Sequence, residues 1–283
     1  MSRAPSTNSL AKRQNEKSKF NFQIRNFPFE INYNCFNKFK VQAIEEHQDP
    51  VTMSEIYTLA ILLIINLVNF ADRYTLPSVV VDIDKEFSVN DEKKLALVQT
   101  AFIIAYMIFS PLFGYLGDRF NRRILMAIGL FVWAASSMAS AYVTPSWGSG
   151  DSPFWIFLTL RALVGVGEAS YVTISPTIIS DLFVGKRRTV ILLIYQSLML
   201  IGSGVGYMTA SKVRGFFSDI QKSGTSTLSY EPWHYAFMVW PPVVFLCMVG
   251  LIFMKDAERG KAEGVSDIES TPYCEDLHYL AKM

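Results

Sequence analysis

The sequence predicts an all-α membrane protein of six spanning helices, and three observations carry that expectation. First, six segments each supply about the 20 mostly apolar residues that a bilayer-crossing helix needs. Second, charged residues make up 18% of the 283-residue chain, against roughly 25% in a typical soluble domain. They crowd the first fifty-odd positions, a few short links and the tail. Third, arginines cluster in alternate links, as they do in polytopic membrane proteins. Net charge is +1, so no global field points to nucleic acid or to acidic partners.

The six segments follow in order. The first runs from about Ile56 to Val81 and includes LAILLIINLVNF. The second covers about Leu95–Tyr115, the third Ile124–Val143 and the fourth Phe154–Ile179. The fifth covers about Val190–Ser211 and the sixth Tyr235–Met254. Buried helices of a large soluble protein are the bland alternative, and six spans with such short links argue against it. The chain therefore divides into a tail at 1–54, a six-helix bundle at 55–254 and a second tail at 255–283. The first tail is polar and basic, then rich in Asn and Phe, and is expected to be disordered and cytoplasmic. It lacks the apolar core of a cleavable signal peptide.

Orientation follows from the links. Arg119, Arg122 and Arg123 lie between the second and third spans, and Lys186, Arg187 and Arg188 between the fourth and fifth. The third–fourth link, Thr144–Pro153, has no Lys or Arg. In the first–second link, Lys85, Lys93 and Lys94 are accompanied by Asp82, Asp84, Glu86, Asp91 and Glu92. The arginine-bearing links and both termini are thus expected in the cytoplasm. The fifth–sixth link runs against the pattern, because it would hold Lys212, Arg214 and Lys222 outside.

A charge deep in a bilayer costs several kcal/mol unless it is paired or faces water, which makes each such residue a functional candidate. Four qualify: Asp72 and Arg73 in the first span, Arg161 and Glu168 in the fourth. Counted from the non-cytoplasmic ends of their spans, Asp72 and Arg161 lie at similar depths, on the order of 10–14 Å. They would pair if their helices face each other. Glu168 follows Arg161 by two turns on the same helical face. The functional reading is a water-filled cavity lined by Asp72, Arg161 and Glu168, in which one carboxylate gains and loses a proton. A carboxylate shielded from water can hold a proton near neutral pH, whereas an arginine partner favours its charged form. The alternative is a permanent buried pair that only sets helix packing. Arg73 is placed with these transport candidates, and its bland alternative is to snorkel or to face another helix.

Small residues suggest close helix packing at Gly165, Gly167, Gly202 and Gly206, the last two spaced as small-xxx-small. Pro77, Pro111 and Pro176 lie where kinks would serve as bending points. Cys35, Cys247 and Cys274 have no paired or metal-binding spacing and are read as free thiols. His47, His234 and His278 are scattered and read as ordinary polar side chains. No metal, cofactor or catalytic constellation is expected. GSGVGY has a glycine rhythm, but it sits inside an apolar span and not between a strand and a helix. No pore-loop signal marks a channel.

The link GYLGDRFNRR, Gly114 to Arg123, resembles the signature loop of the major facilitator superfamily, with Gly114, Asp118, Arg119, Arg122 and Arg123 at its key positions. The run RALVGVGEA, with Arg161, Gly165 and Gly167, resembles the superfamily's second motif. NFADRYT, LVGVGEASY, SPTIISDLF and GSGVGY are similar to the Spinster family of lipid transporters, and the pattern departs at Leu200, where many relatives carry proline. The tail YCEDLHYLAKM resembles the family's central loop before its seventh helix.

The resemblance implies the N-terminal six-helix half of a twelve-helix major facilitator fold, in lysosomes, late endosomes or the plasma membrane. It implies proton-linked movement of lysolipids or sphingoid lipids by alternating access, with Asp72 and Glu168 as the family's acids. The partners implied are the bilayer, an amphiphilic lipid and protons. Three further readings stay open: a short form that regulates full-length relatives, a truncated piece, and a homodimer that rebuilds twelve helices.

Overall fold

A computed structural model describes residues 51–87, 92–224 and 229–254. The expected tails at 1–54 and 255–283 fall almost wholly outside the described residues, as do Cys35, Cys274, His47 and His278. Among the described residues six helices are long and apolar enough to cross a membrane: Met53–Phe87, Lys93–Arg119, Arg122–Ala141, Ser152–Leu182, Gly185–Ser223 and Pro232–Ile252. We label the helical elements α1 (Met53–Phe87), α2 (Glu92–Arg119), α3 (Arg122–Ala141), α4 (Ser152–Leu182) and α5 (Gly185–Ser223). The sixth span is formed by α6 (Pro232–Phe237) and α7 (Trp240–Ile252). Among the described residues there is no strand.

The break in the sixth span has a local cause. Pro241 and Pro242 follow Trp240 and carry no N–H, so the Phe237 and Met238 carbonyls lose their usual helical donors. The chain turns at Met238–Val239, and α7 restarts with proline in its first turn, where the missing donor costs nothing.

Two helices run well past the expected span ends. At 1.5 Å per residue, the 39 residues of α5 extend about 58 Å, nearly twice the roughly 30 Å hydrocarbon layer. Lys212, Arg214 and Lys222, expected in a fifth–sixth link, therefore lie on α5 itself. The extension is paired with the equally extended end of α1, where Arg214 Nη2 donates to Asp82 Oδ1 at 3.1 Å. Apolar run length marks where a helix leaves the membrane, and says nothing of where it stops.

In the bundle α1 packs on α5, α2 on α4, and α3 on both α4 and α7. Close contact at these seams depends on missing side chains. A Cβ at Gly206 would stand 2.1 Å from the Ala71 carbonyl oxygen, and one at Gly202 would stand 2.7 Å from that of Leu67. Gly165 meets the Phe102 backbone in the same way, and Gly167 meets that of Trp133. Tyr171 on α4 donates its hydroxyl to the Leu62 carbonyl at 2.5 Å, and Tyr57 on α1 donates to Gly250 at 2.8 Å.

The apolar interior falls into two clusters. One gathers Leu62, Ile65, Leu130, Trp133, Tyr171 and Val244, and the other Val79, Val143, Phe157, Trp233 and Phe237. Along α1 the change from one cluster to the other falls between Ala71 and Leu76, and along α4 between Phe157 and Val164. Asp72, Arg73 and Arg161 sit in that boundary, and Glu168 lies one turn beyond it.

Candidate functional site: a buried layer of charge

On α1, Asn66, Asn69 and Arg73 fall at i, i+3 and i+7, which places them on one helical face. Asp72 is turned slightly toward α3. Asp72, Arg161 and Glu168 are almost wholly buried.

The two carboxylates have different partners. Asp72 accepts from the Trp133 indole N–H at 2.8 Å and from the Ser137 hydroxyl at 3.1 Å, both on α3. Glu168 on α4 takes its hydrogen bond from Arg73, with Nη2 and Oε2 2.5 Å apart. Its other oxygen, Oε1, is buried without a hydrogen-bond partner, as are both amide atoms of Asn69 and the Nε of Arg73. The Arg73 side chain keeps 22% of its surface exposed. Its guanidinium lies over the rings of Phe102, Phe70 and Tyr106, at 4.8, 5.3 and 5.5 Å from their centroids. Such contacts each stabilise a cation by about 0.5–2 kcal/mol.

The ion pair that Asp72 and Arg161 could make if their helices faced each other is not formed, and α3 supplies a hydrogen-bond partner to each. Arg161 Nη2 donates to the Ser140 hydroxyl at 2.9 Å, and Ser140 donates to the Ser137 carbonyl at 2.7 Å. Arg161 also lies 4.1 Å from the centre of the Phe237 ring. Arg73, read as snorkelling or facing another helix, faces α4 and holds an ion pair with Glu168. Sequence reasoning passed over Trp133, Ser137 and Ser140. The signal available was a run of serines, Ser136, Ser137 and Ser140, on one stretch of an otherwise apolar helix.

The signature loop lies at the opposite end of the bundle from Glu86. Asn121 caps α3 by accepting from the Arg123 backbone N–H at 3.0 Å, a standard helix start. Arg122 forms an ion pair with Asp181 near the end of α4 and donates Nε to the Gly117 carbonyl at 3.3 Å. Arg123 donates to the Met254 carbonyl at 2.6 Å, and Arg119 lies over the Tyr115 ring at 4.8 Å. Asp118 is exposed in the last turn of α2, and a Cβ at Gly114 would meet nothing within 4 Å. The loop thus ties α2, α3, α4 and the end of the sixth span together. Asp181, the carboxylate for Arg122, lies inside the SPTIISDLF run.

The family model of the Major Facilitator Superfamily matches residues 62–273. The chain belongs to that superfamily, and is thus an integral membrane protein with several spans. Within it the resemblance is to the Spinster proteins. The chain is 38% identical over 226 residues to protein spinster homolog 3 of Danio rerio, covering 79% of this chain and 41% of the relative. It is 35% identical over 232 residues to protein spinster of Drosophila melanogaster, covering 82% and 35%. It is 38% identical over 223 residues to the sphingosine-1-phosphate transporter of Xenopus tropicalis, covering 78% and 39%. A bacterial homolog of the human lysosomal transporter Spinster, solved in an inward-facing and unoccupied conformation, matches with a TM-score of 0.60. That match has 22% identity and covers 80% of this chain and 47% of the other. The chain thus spans about two-fifths of the length of the curated relatives it matches.

Proposed function

We propose that this chain is the first half of a Spinster-type secondary transporter that moves lysolipids or sphingoid lipids across a membrane by alternating access, coupled to protons. The observation that carries the reading is the Arg73–Glu168 pair, because it joins α1 to α4 and rests on a carboxylate with a free oxygen. A proton arriving at Glu168 removes its charge and weakens its hold on Arg73, since charge-assisted hydrogen bonds are about twice as strong as neutral ones. Asp72, held by neutral donors, is the second proton acceptor. Major facilitator folds pair two six-helix halves around a central site, and a proton that loosens a seam between helices is a natural trigger for rocking. The partly exposed, aromatic-lined Arg73 suits a substrate with an anionic head and an apolar tail. The similarity to the Xenopus sphingosine-1-phosphate transporter supports that substrate class. The signature loop and its Arg122–Asp181 pair act as the gate at the other end, on the side proposed to be cytoplasmic with both termini.

The alternative function for a chain of six spans is a half that does not transport and instead binds full-length transporters. The two separate on one experiment. The chain is reconstituted in vesicles beside a full-length relative, and uptake of fluorescent lysolipid is followed under an imposed pH gradient. Gradient-driven uptake that disappears in Asp72→Asn supports transport by the chain itself, through a homodimer of twelve helices. No uptake beside an active full-length control supports the non-transporting reading.

A further inference from the structure

The end of the bundle that carries Glu86 holds a second titratable cluster, separate from the charge layer. His234, in α6, is fully buried. Its Nδ1 lies 2.7 Å from the carbonyl oxygen of Ala141, the last residue of α3. Its Nε2 lies 3.0 Å from Glu86 Oε2, near the end of α1. The Trp233 indole N–H donates to the same carboxyl, and its ring stacks on the imidazole with centroids 3.8 Å apart.

A backbone carbonyl can only accept, so Nδ1 must carry a hydrogen. An ionised Glu86 can also only accept, which requires a hydrogen on Nε2 and makes the ring an imidazolium. The other consistent arrangement leaves Nε2 bare and places the hydrogen on Glu86. Both arrangements hold one proton more than a neutral imidazole beside a carboxylate.

The surroundings of the pair are mixed in charge. From α5, Arg214 is held by Asp82 of α1. From the approach to α6, the Tyr230 ring lies 5.5 Å from His234 and packs against Tyr142, and Glu231 is exposed. From α4, Arg161 lies over Phe237 and not over His234. A cavity of about 340 Å³ is lined by Glu86 together with Asp82, Lys85, Arg214 and Glu231. It gives protons a route to Glu86, whose side chain is 12% exposed, while His234 itself is sealed.

We propose that Glu86 and His234 share one bound proton, forming a second proton-binding site that ties the ends of α1, α3 and the sixth span together. Loss of the proton sets the Nε2 lone pair against the carboxylate in a place where the ring cannot turn to water. The tie is therefore made while the proton is held and released when it leaves. The site needs neither Asp72 nor Glu168, so it stands or falls independently of the transport reading.

The test uses the full chain with His47→Gln and His278→Gln, which leaves His234 as the single imidazole. ¹⁵N resonances of the ring and the infrared carbonyl band of a protonated carboxyl are followed from about pH 5 to 9. The expected result near pH 7 is either both ring nitrogens protonated, or an Nδ1–H ring beside a protonated carboxyl whose band vanishes in Glu86→Gln. The amide of Glu86→Gln donates to a bare Nε2, so the ring should no longer hold both protons near pH 7. A neutral ring beside an ionised Glu86 near pH 7 overturns the proposal, and so does a titration that Glu86→Gln leaves unmoved. Should Glu86→Gln fail to fold, the protonation state in the parent chain decides alone.

Discussion

Asp72 and Glu168 are both fully buried carboxylates, yet they are held in opposite ways. Asp72 faces α3 and is satisfied by neutral donors, an indole and a hydroxyl. Glu168 faces α1 and leans on one cation, with its second oxygen unpaired. An acid held by neutral donors keeps most of its hydrogen bonds whether or not it is charged. One held by a cation exchanges a strong tie for a weak one when it takes a proton. On this comparison the α1–α4 seam is the element that responds and the α1–α3 seam is the one that stays.

The largest expected effect tests that distinction directly. Arg73→Met strands the charge of Glu168 in an apolar setting and should cost about 3–5 kcal/mol, the usual penalty for breaking a buried pair from one side. Adding Glu168→Met should recover most of the loss, which thermal melting in detergent would show. A double variant melting no higher than the single one would break the idea that the pair acts as a unit. Next, Trp133→Phe leaves Asp72 short of one donor and should cost about 1–3 kcal/mol, measured the same way. Gly206→Ala pushes a methyl group against the Ala71 backbone, the residue before Asp72, at a cost of about 1–3 kcal/mol. Gly204→Ala, where a Cβ meets nothing within 4 Å, should stay within about 0.5 kcal/mol. Asp72→Asn should also change stability little, by about 1 kcal/mol or less, because the amide oxygen still accepts from Trp133 and the amide nitrogen can donate to Ser137. If Asp72→Asn melts as low as Arg73→Met, the two acids are not held differently after all.

Much of this was legible in the chain. Run length and the spacing of arginines marked the six spans, because hydrocarbon thickness acts on local composition. The four intramembrane charges stood out for the same reason. Their pairing did not, because the partner of each charge depends on how helices rotate against one another. Arg73 stood out as a charge that could face another helix, but only the rotation of α1 shows that its partner is Glu168. His234 read as an ordinary polar side chain, since nothing near it in sequence hints at Glu86, 148 positions earlier. The length of α5 was hidden too, because charged residues end an apolar run without ending a helix.

The most direct measurement of the central claim is proton-driven lipid uptake by a hybrid in which residues 53–254 replace the matching half of the zebrafish spinster homolog. In reconstituted vesicles the hybrid should take up fluorescent lysolipid faster when a pH gradient is imposed. Glu168→Gln should abolish that acceleration in a hybrid that still folds and inserts. Uptake at the same rate with the gradient dissipated, or acceleration that survives both Glu168→Gln and Asp72→Asn, would contradict the account.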